Sequence, residues 1–234
     1  MGQGSSNIQS GKVYCFTNPD LKGTPMVLDN PASLNNLKTQ GDIASMVVPA
    51  GYEAHLFRDS NFRSGHRYFR GPTQVDQLPT PASSAIITKT ATNNDEPGTN
   101  EAIIYHPGRN GLEGVILAAP LDVANVSKIG IPNNSIAQIK LGSNATLTGY
   151  DNYRFDGTQA SFTGPYTGGL GVLDKKVSSF KLGQRETKTF QEITPVTAAT
   201  SFLSNWGFWI VLIILILLLL WLWQSKKFQH RYPY

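Results

Sequence analysis

From Lys12 onward apolar and polar residues alternate in short runs broken by glycine, proline and asparagine, the period-two pattern of strands with one covered face. The same unit returns four times up to Leu182. Each opens on a strand closed by an aromatic ring, continues with a second large apolar residue and a glycine, and ends in another short apolar run. The openings are Val13 to Gly23, Ala54 to Gly65, Ala102 to Gly114 and Thr146 to Gly157. Their ring and apolar pairs are Phe16 with Leu21, Phe57 with Phe62, Tyr105 with Leu112 and Tyr150 with Phe155. A strand that folds back on itself needs an apolar plug under the fold and a residue free to take positive φ, which is what these pairs and glycines supply. The closings are Asp42 to Val48, Ala82 to Ile87, Asn133 to Leu141 and Asp174 to Leu182, and Phe69-Arg70-Gly71-Pro72 in the second unit is answered by Phe162-Thr163-Gly164-Pro165 in the fourth.

One such unit cannot bury both faces of its strands, whereas two packed as facing sheets can. A polar break at 91–100 falls between the second and third units. The pattern therefore predicts a flexible arm (1–11), a first β domain (12–90), a linker (91–100), a second β domain (101–183) and a Thr-rich stalk (184–205) containing Pro195.

Alternation then stops. Trp206 to Trp223 carries no charged side chain and would reach ~27 Å as a helix, close to the hydrocarbon thickness of a bilayer. All four tryptophans of the chain sit at its ends, Trp206 and Trp209 at one and Trp221 and Trp223 at the other, where indoles anchor at the headgroup level. The expectation is a transmembrane helix over 206–223 with a short basic tail, 224–234.

Composition changes this picture little. Twenty-two glycines and fourteen prolines fit many turns, and a formal charge of +4 lacks the density that phosphate neutralisation needs, so nucleic acid is not an expected partner. Cys15 is the sole cysteine, which excludes an intrachain disulfide and a thiolate metal cluster. Neither H-E-x-x-H, G-x-S-x-G nor a P-loop occurs, so an enzyme is not expected.

On these residues the four units resemble the βγ-crystallin family. Its paired Greek-key motifs carry an aromatic, four residues, an apolar residue, one residue and a glycine in the folded hairpin, and close on an Asn/Asp pair, two residues and Ser/Thr-Ser. Phe16/Leu21/Gly23 and Tyr150/Phe155/Gly157 match that spacing; the second unit has one extra residue, Ser64, and the third a longer insertion. The resemblance spans Lys12 to Leu182 and implies an all-β fold of two βγ-crystallin-like Greek-key β-sandwich domains in tandem, each of two four-stranded sheets, to which the C-terminal transmembrane helix is added.

In microbial members the closing element binds calcium. Carried over, this implies Asn133 and Asn134 with Ser178, and Asp42 with Ser83. Pro79, Thr80, Ala137 and Lys175 depart from the motif at the reciprocal positions. With so few carboxylates the serines are expected to bond turn backbone, and no cofactor is expected beyond weak calcium at Asp42, Ser83, Asn134 and Ser178. Arg58, Arg63, Arg67 and Arg70, interleaved with His66, Phe62, Tyr68 and Phe69, are a candidate contact for phosphate or anionic headgroups, set against the plain solvated face that alternation equally predicts.

The N-terminus fits M-G-x-x-x-[ST], which makes Gly2 a candidate for myristoylation. Lys226, Lys227 and Arg231 beyond the span favour a cytosolic tail, whereas a span so late in the chain, a lone cysteine and Gly2 favour cytosolic domains; the second placement is expected. The functional expectation is a non-enzymatic, membrane-anchored structural or interaction protein whose partners are a lipid bilayer and another protein. In concrete form it is a minor capsid-associated protein tethering an internal membrane to the shell of a membrane-containing virus. The rival is a calcium- or anionic-lipid-responsive sensor.

Overall fold

Sixteen short strands joined by turns and loops run through residues 11–185, as the alternation requires. The computed structural model describes 11–39, 41–109, 111–185 and 206–229, with side chains of the last stretch over 212–223 only. The first half supplies β1 (Val13–Phe16), β2 (Met26–Leu28), β3 (Ala32–Leu34), β4 (Ser45–Val48), β5 (Tyr52–Phe57), β6 (Arg67–Arg70), β7 (Thr73–Val75) and β8 (Ser84–Ala91). The second supplies β9 (Glu101–Gly108), β10 (Gly111–Ala118), β11 (Leu121–Val123), β12 (Gln138–Leu141), β13 (Ala145–Tyr150), β14 (Gln159–Thr163), β15 (Tyr166–Gly168) and β16 (Ser179–Gln184).

Every unit lends its third strand to its partner's sheet. In the first half β2-β1-β4-β7 form one sheet, while β3 joins β8, β5 and β6; in the second, β11-β16-β13-β14 face β15-β12-β9-β10. This is the paired Greek-key architecture that the resemblance implies. The first core lies between its two sheets around Val13, Met46, Leu56 and Ile87, the second around Leu117, Ile139, Leu147 and Phe180.

Three of the four openings fold back as predicted. Asp20 and Leu21, Asn61 and Phe62, and Arg154 and Phe155 all take left-handed backbone angles. The third unit differs: β9 and β10 pair without interruption from Gly108↔Gly111 to Glu101↔Ala118, and Leu112 is exposed rather than plugging a fold. The longer insertion lets the strands run on as a straight hairpin.

The polar break is a loop over 92–100, and the halves share a sheet across it. β8 pairs through Ala32↔Ile87 and its neighbours with β3, and further along through Thr90↔Val115 with β10, so that eight strands are continuous. Lys140 ties down the loop from β12, its Nζ bonding the carbonyls of Asn93 and Asp95 and the carboxylate of Glu96.

The helix α1 runs Trp206–Gln229. It continues past the predicted end at Trp223, because Gln224 to Gln229 hold neither proline nor glycine to stop it. Among the described residues no helix is long and apolar enough to cross a membrane; side chains are described for twelve positions, 212–223, which rise only ~18 Å. Gly2, residues 186–205 of the stalk and the tail from 230 lie outside the described residues.

Candidate functional site

β5 alternates as a half-wet strand would, with Ala54 and Leu56 in the first core and Glu53, His55 and Phe57 on the other face. All six of its residues are buried. The second half covers the outer face: Phe57 and Ile86 join Val123, Val126, Ile129 and Ile131 in one apolar cluster.

Next to that cluster runs a chain of polar side chains. Arg70 holds Glu53 Oε1 through Nε and Nη2, both at 2.6 Å, and the Tyr68 hydroxyl donates to the same oxygen at 3.0 Å. Glu53 Oε2 stands 3.7 Å from Nε2 of His55, beyond hydrogen-bond reach, so this nitrogen of a fully buried ring has no partner. His55 Nδ1 meets Nε2 of His66 at 3.4 Å, with the two rings nearly parallel. Lys128, in the 3-10 turn Val126–Ile129, bears on His66 from the second half. Gly130 closes the site, and a Cβ there would come within 3.6 Å of Glu53 Oε2 and 3.7 Å of His55 Cε1.

Burial works to raise the pKa of Glu53, but its contacts with His55, Arg70 and Tyr68 outweigh it, and the carboxyl is held below its usual range. Burial first, then His55 and Lys128, push His66 down to about 4, against a smaller opposing effect of the Lys128 backbone. A cleft of about 420 Å³ opens beside the cluster, lined in part by Phe57, Lys128, Tyr153 and Arg154.

The four arginines do not share one patch. Arg70 is committed to Glu53; Arg58, 3.7 Å from Asp59, and Arg67 border one hollow near Leu78, while Arg63 lines a different cleft of about 530 Å³ with Asp122 and Phe155. Strand geometry is the reason, since residues 67 and 70 of β6 point to opposite faces.

The closing serines bond backbone. Ser45 Oγ accepts from the N–H of Leu21 and donates to the carbonyl of Asn18; Ser84 does the same to Phe62 and Asp59, and Ser179 to Phe155 and Asn152. Each hydroxyl thus pins a folded hairpin. Gln138 stands at the equivalent place in the third unit, whose hairpin is straight.

Of the calcium candidates, Asn134 and Ser178 come together: Ser178 Oγ lies 3.2 Å from Asn134 Oδ1 and 2.7 Å from the Asp151 carbonyl. One amide oxygen, one hydroxyl and one carbonyl fall well short of the about six to eight oxygens, several of them charged, that calcium takes. These residues do not fit the ion. Asp42 follows Gly41, which takes positive φ as Asn134 and Lys175 do in their units, so Asp42 sits one place beyond the motif's paired position; its Oδ1 is buried without a partner. Ser83 is buried and bonds through its backbone to Phe57 and Leu37. No cluster of three or more His, Cys, Asp or Glu that would hold a metal occurs among the described residues. Cys15 is buried in the first core and pushed up to about 12 by that burial, which leaves no thiolate for nucleophilic chemistry. Trp221 and Trp223 lie on α1 and are exposed, whereas the side chains of Trp206 and Trp209 are outside the described residues.

No family model matches the chain, and no curated protein matches it. Among solved structures it is similar to a βγ-crystallin domain from work on the evolution of the eye-lens fold (15% identity, TM-score 0.37, 42% of this chain and 99% of that one). It is similar too to protein S complexed with calcium (20%, TM-score 0.34, 74% and 99%) and to geodin, a βγ-crystallin from Geodia cydonium (14%, TM-score 0.28, 74% and 99%). The strand order and the exchanged third strands, rather than these overlaps, make the fold of residues 13–184 βγ-crystallin-like.

Proposed function

We propose that this chain is a non-enzymatic, membrane-anchored structural protein: a pair of joined β-sandwiches held at a bilayer by a span over 206–223. One observation carries the reading. Over 212–223 every side chain is apolar, and each is between 37% and 65% exposed. Leaving such a rod in water would cost on the order of 10 kcal/mol, which lipid removes. The partners are a bilayer and a second protein. In its most concrete form the β-sandwiches face the protein shell of a membrane-containing virus and tie an internal membrane to it, with Gly2 as a second lipid attachment. Two sandwiches sharing a sheet suit a spacer that must keep its shape.

Alkaline carbonate extraction of vesicles carrying the full chain tests the anchor. The chain should stay with the membrane, and Ile216→Arg with Leu217→Arg should release it; release of the unaltered chain sinks the reading. Cross-linking on intact particles tests the partner, since residues 12–185 should cross-link to a shell protein. Protease treatment of sealed vesicles decides the orientation, with cosmetic trimming of the β-sandwiches from outside expected for the cytosolic placement.

A second reading, a calcium-responsive sensor, draws on the free buried oxygen of Asp42. Heat on titrating the chain with millimolar calcium that disappears in Asp42→Asn would support it.

A further inference from the structure

The two larger clefts at the junction of the β halves adjoin: Asn61 and Phe62 line both from the first half, and Asp122 and Ala124 line both from the second. Cations collect along them. Arg63 borders one cleft, Lys128 and Arg154 the other; all three are exposed, and none has an ion pair among the described residues. Among the described residues Asp122 is the one carboxylate on either lining, and it stands across the β11–β16 ladder from Lys181. We propose that these clefts together seat an acidic segment of a partner protein in extended conformation.

The site offers main-chain groups as well as charge. Among the described residues β3 pairs only with β8 and β11 only with β16, so each half leaves one strand edge open here, with Ser33 and Asp122 at the centres of those edges. In an antiparallel ladder alternate residues turn their N–H and C=O to opposite sides. Asn35 and Ala124, two places further along, turn their carbonyls away from the paired strand, to the N–H of Asn61 and of Arg154. Ser33 and Asp122 therefore share that open side, and each holds there an N–H and a C=O that no strand takes up. The half-buried rings of Phe62 and Phe155 add apolar wall beside Arg63, and Tyr153, 47% exposed, does so beside Lys128 and Arg154. An extended peptide uses all three features: its main chain meets the open edges, its alternate apolar side chains the rings, and its carboxylates the cations. A flat bilayer surface would meet the exposed cations alone. Three cations against one acid also select by charge, drawing in an acidic strand and repelling a basic one. The proposal rests on the protein partner inferred above, and on neither the membrane span nor the viral shell.

Fluorescence anisotropy of a labelled alternating Glu-Val peptide, about eight residues long, titrated with the full chain in uncharged detergent micelles, tests it. Saturable binding that weakens as salt rises is expected. Arg63→Glu with Lys128→Glu and Arg154→Glu should weaken it at least about tenfold. Arg58→Glu with Arg67→Glu, at the separate hollow near Leu78, should leave it unchanged. All five side chains are exposed, so both variants should keep the near-ultraviolet circular dichroism of the unaltered chain. No saturation below about 1 mM, equal affinity for the alternating Gln-Val peptide, or the same response in both variants would each overturn the site. So would displacement of the peptide by dihexanoylphosphatidylserine but not by its phosphatidylcholine counterpart, which would give the clefts to a lipid headgroup. A shell cross-link that survives the three reversals would leave the reading above intact and sink this site; peptide binding without any cross-link would do the reverse.

Discussion

A single hydroxyl closes each folded hairpin, and its loss leaves an N–H and a carbonyl without their partner. Ser84→Ala and Ser179→Ala should therefore each cost about 1–3 kcal/mol in urea unfolding, whereas Gln138→Ala, where no folded hairpin exists to pin, should cost far less. Equal effects at all three sites would mean that the clamp is not what holds the fold. These serines stand out in the closing runs, and their backbone bonding follows from their chemistry. Glu53 and His55 do not stand out. Alternation along β5 marks a second face, and whether water or protein covers that face is decided by residues about 70 positions away, at Val126 to Ile131. The arginines are dispersed for a related reason: residues close in sequence part in space as soon as the strand alternates and the hairpin turns.

At the scale of elements, the Phe-x-Gly-Pro echo has a physical basis. The N–H of Gly71 bonds the Tyr52 carbonyl and that of Gly164 the Ala145 carbonyl, and a Cβ on either would run into backbone, that of Pro49 or of Gly142. Phe69 and Phe162 pack on the two cores from the adjoining strands. Gly164→Ala and Gly71→Ala should each destabilise by about 1–3 kcal/mol, read as a lower urea midpoint at unchanged slope. An unaltered midpoint would show that the approach relaxes freely. The junction of β8 with β10 has no comparable signature. Thr90 and Val115 are ordinary strand residues, and only the length of β8, which outruns β3, leaves an edge open for β10.

For the molecule as a whole, a shared sheet and a shared apolar cluster predict that the two β halves unfold together. Cys15, deep in the first core, is a probe of one half, and exchange of β13 to β16 is a probe of the other. Thiol labelling and amide exchange across a urea series should give coincident transitions; separation of the two would make the halves independent domains. The sequence alone determined the four-unit repeat, three of the four apolar plugs with their serine closings, and the apolar C-terminal run, because each depends on residues within one strand, turn or helix. Tertiary structure alone decided which strands are exchanged, that the third hairpin stays straight, that eight strands form one sheet and that Glu53 and His55 lie buried beside a half-buried His66. Those outcomes depend on which distant surface covers a face, and local periodicity carries no information about that.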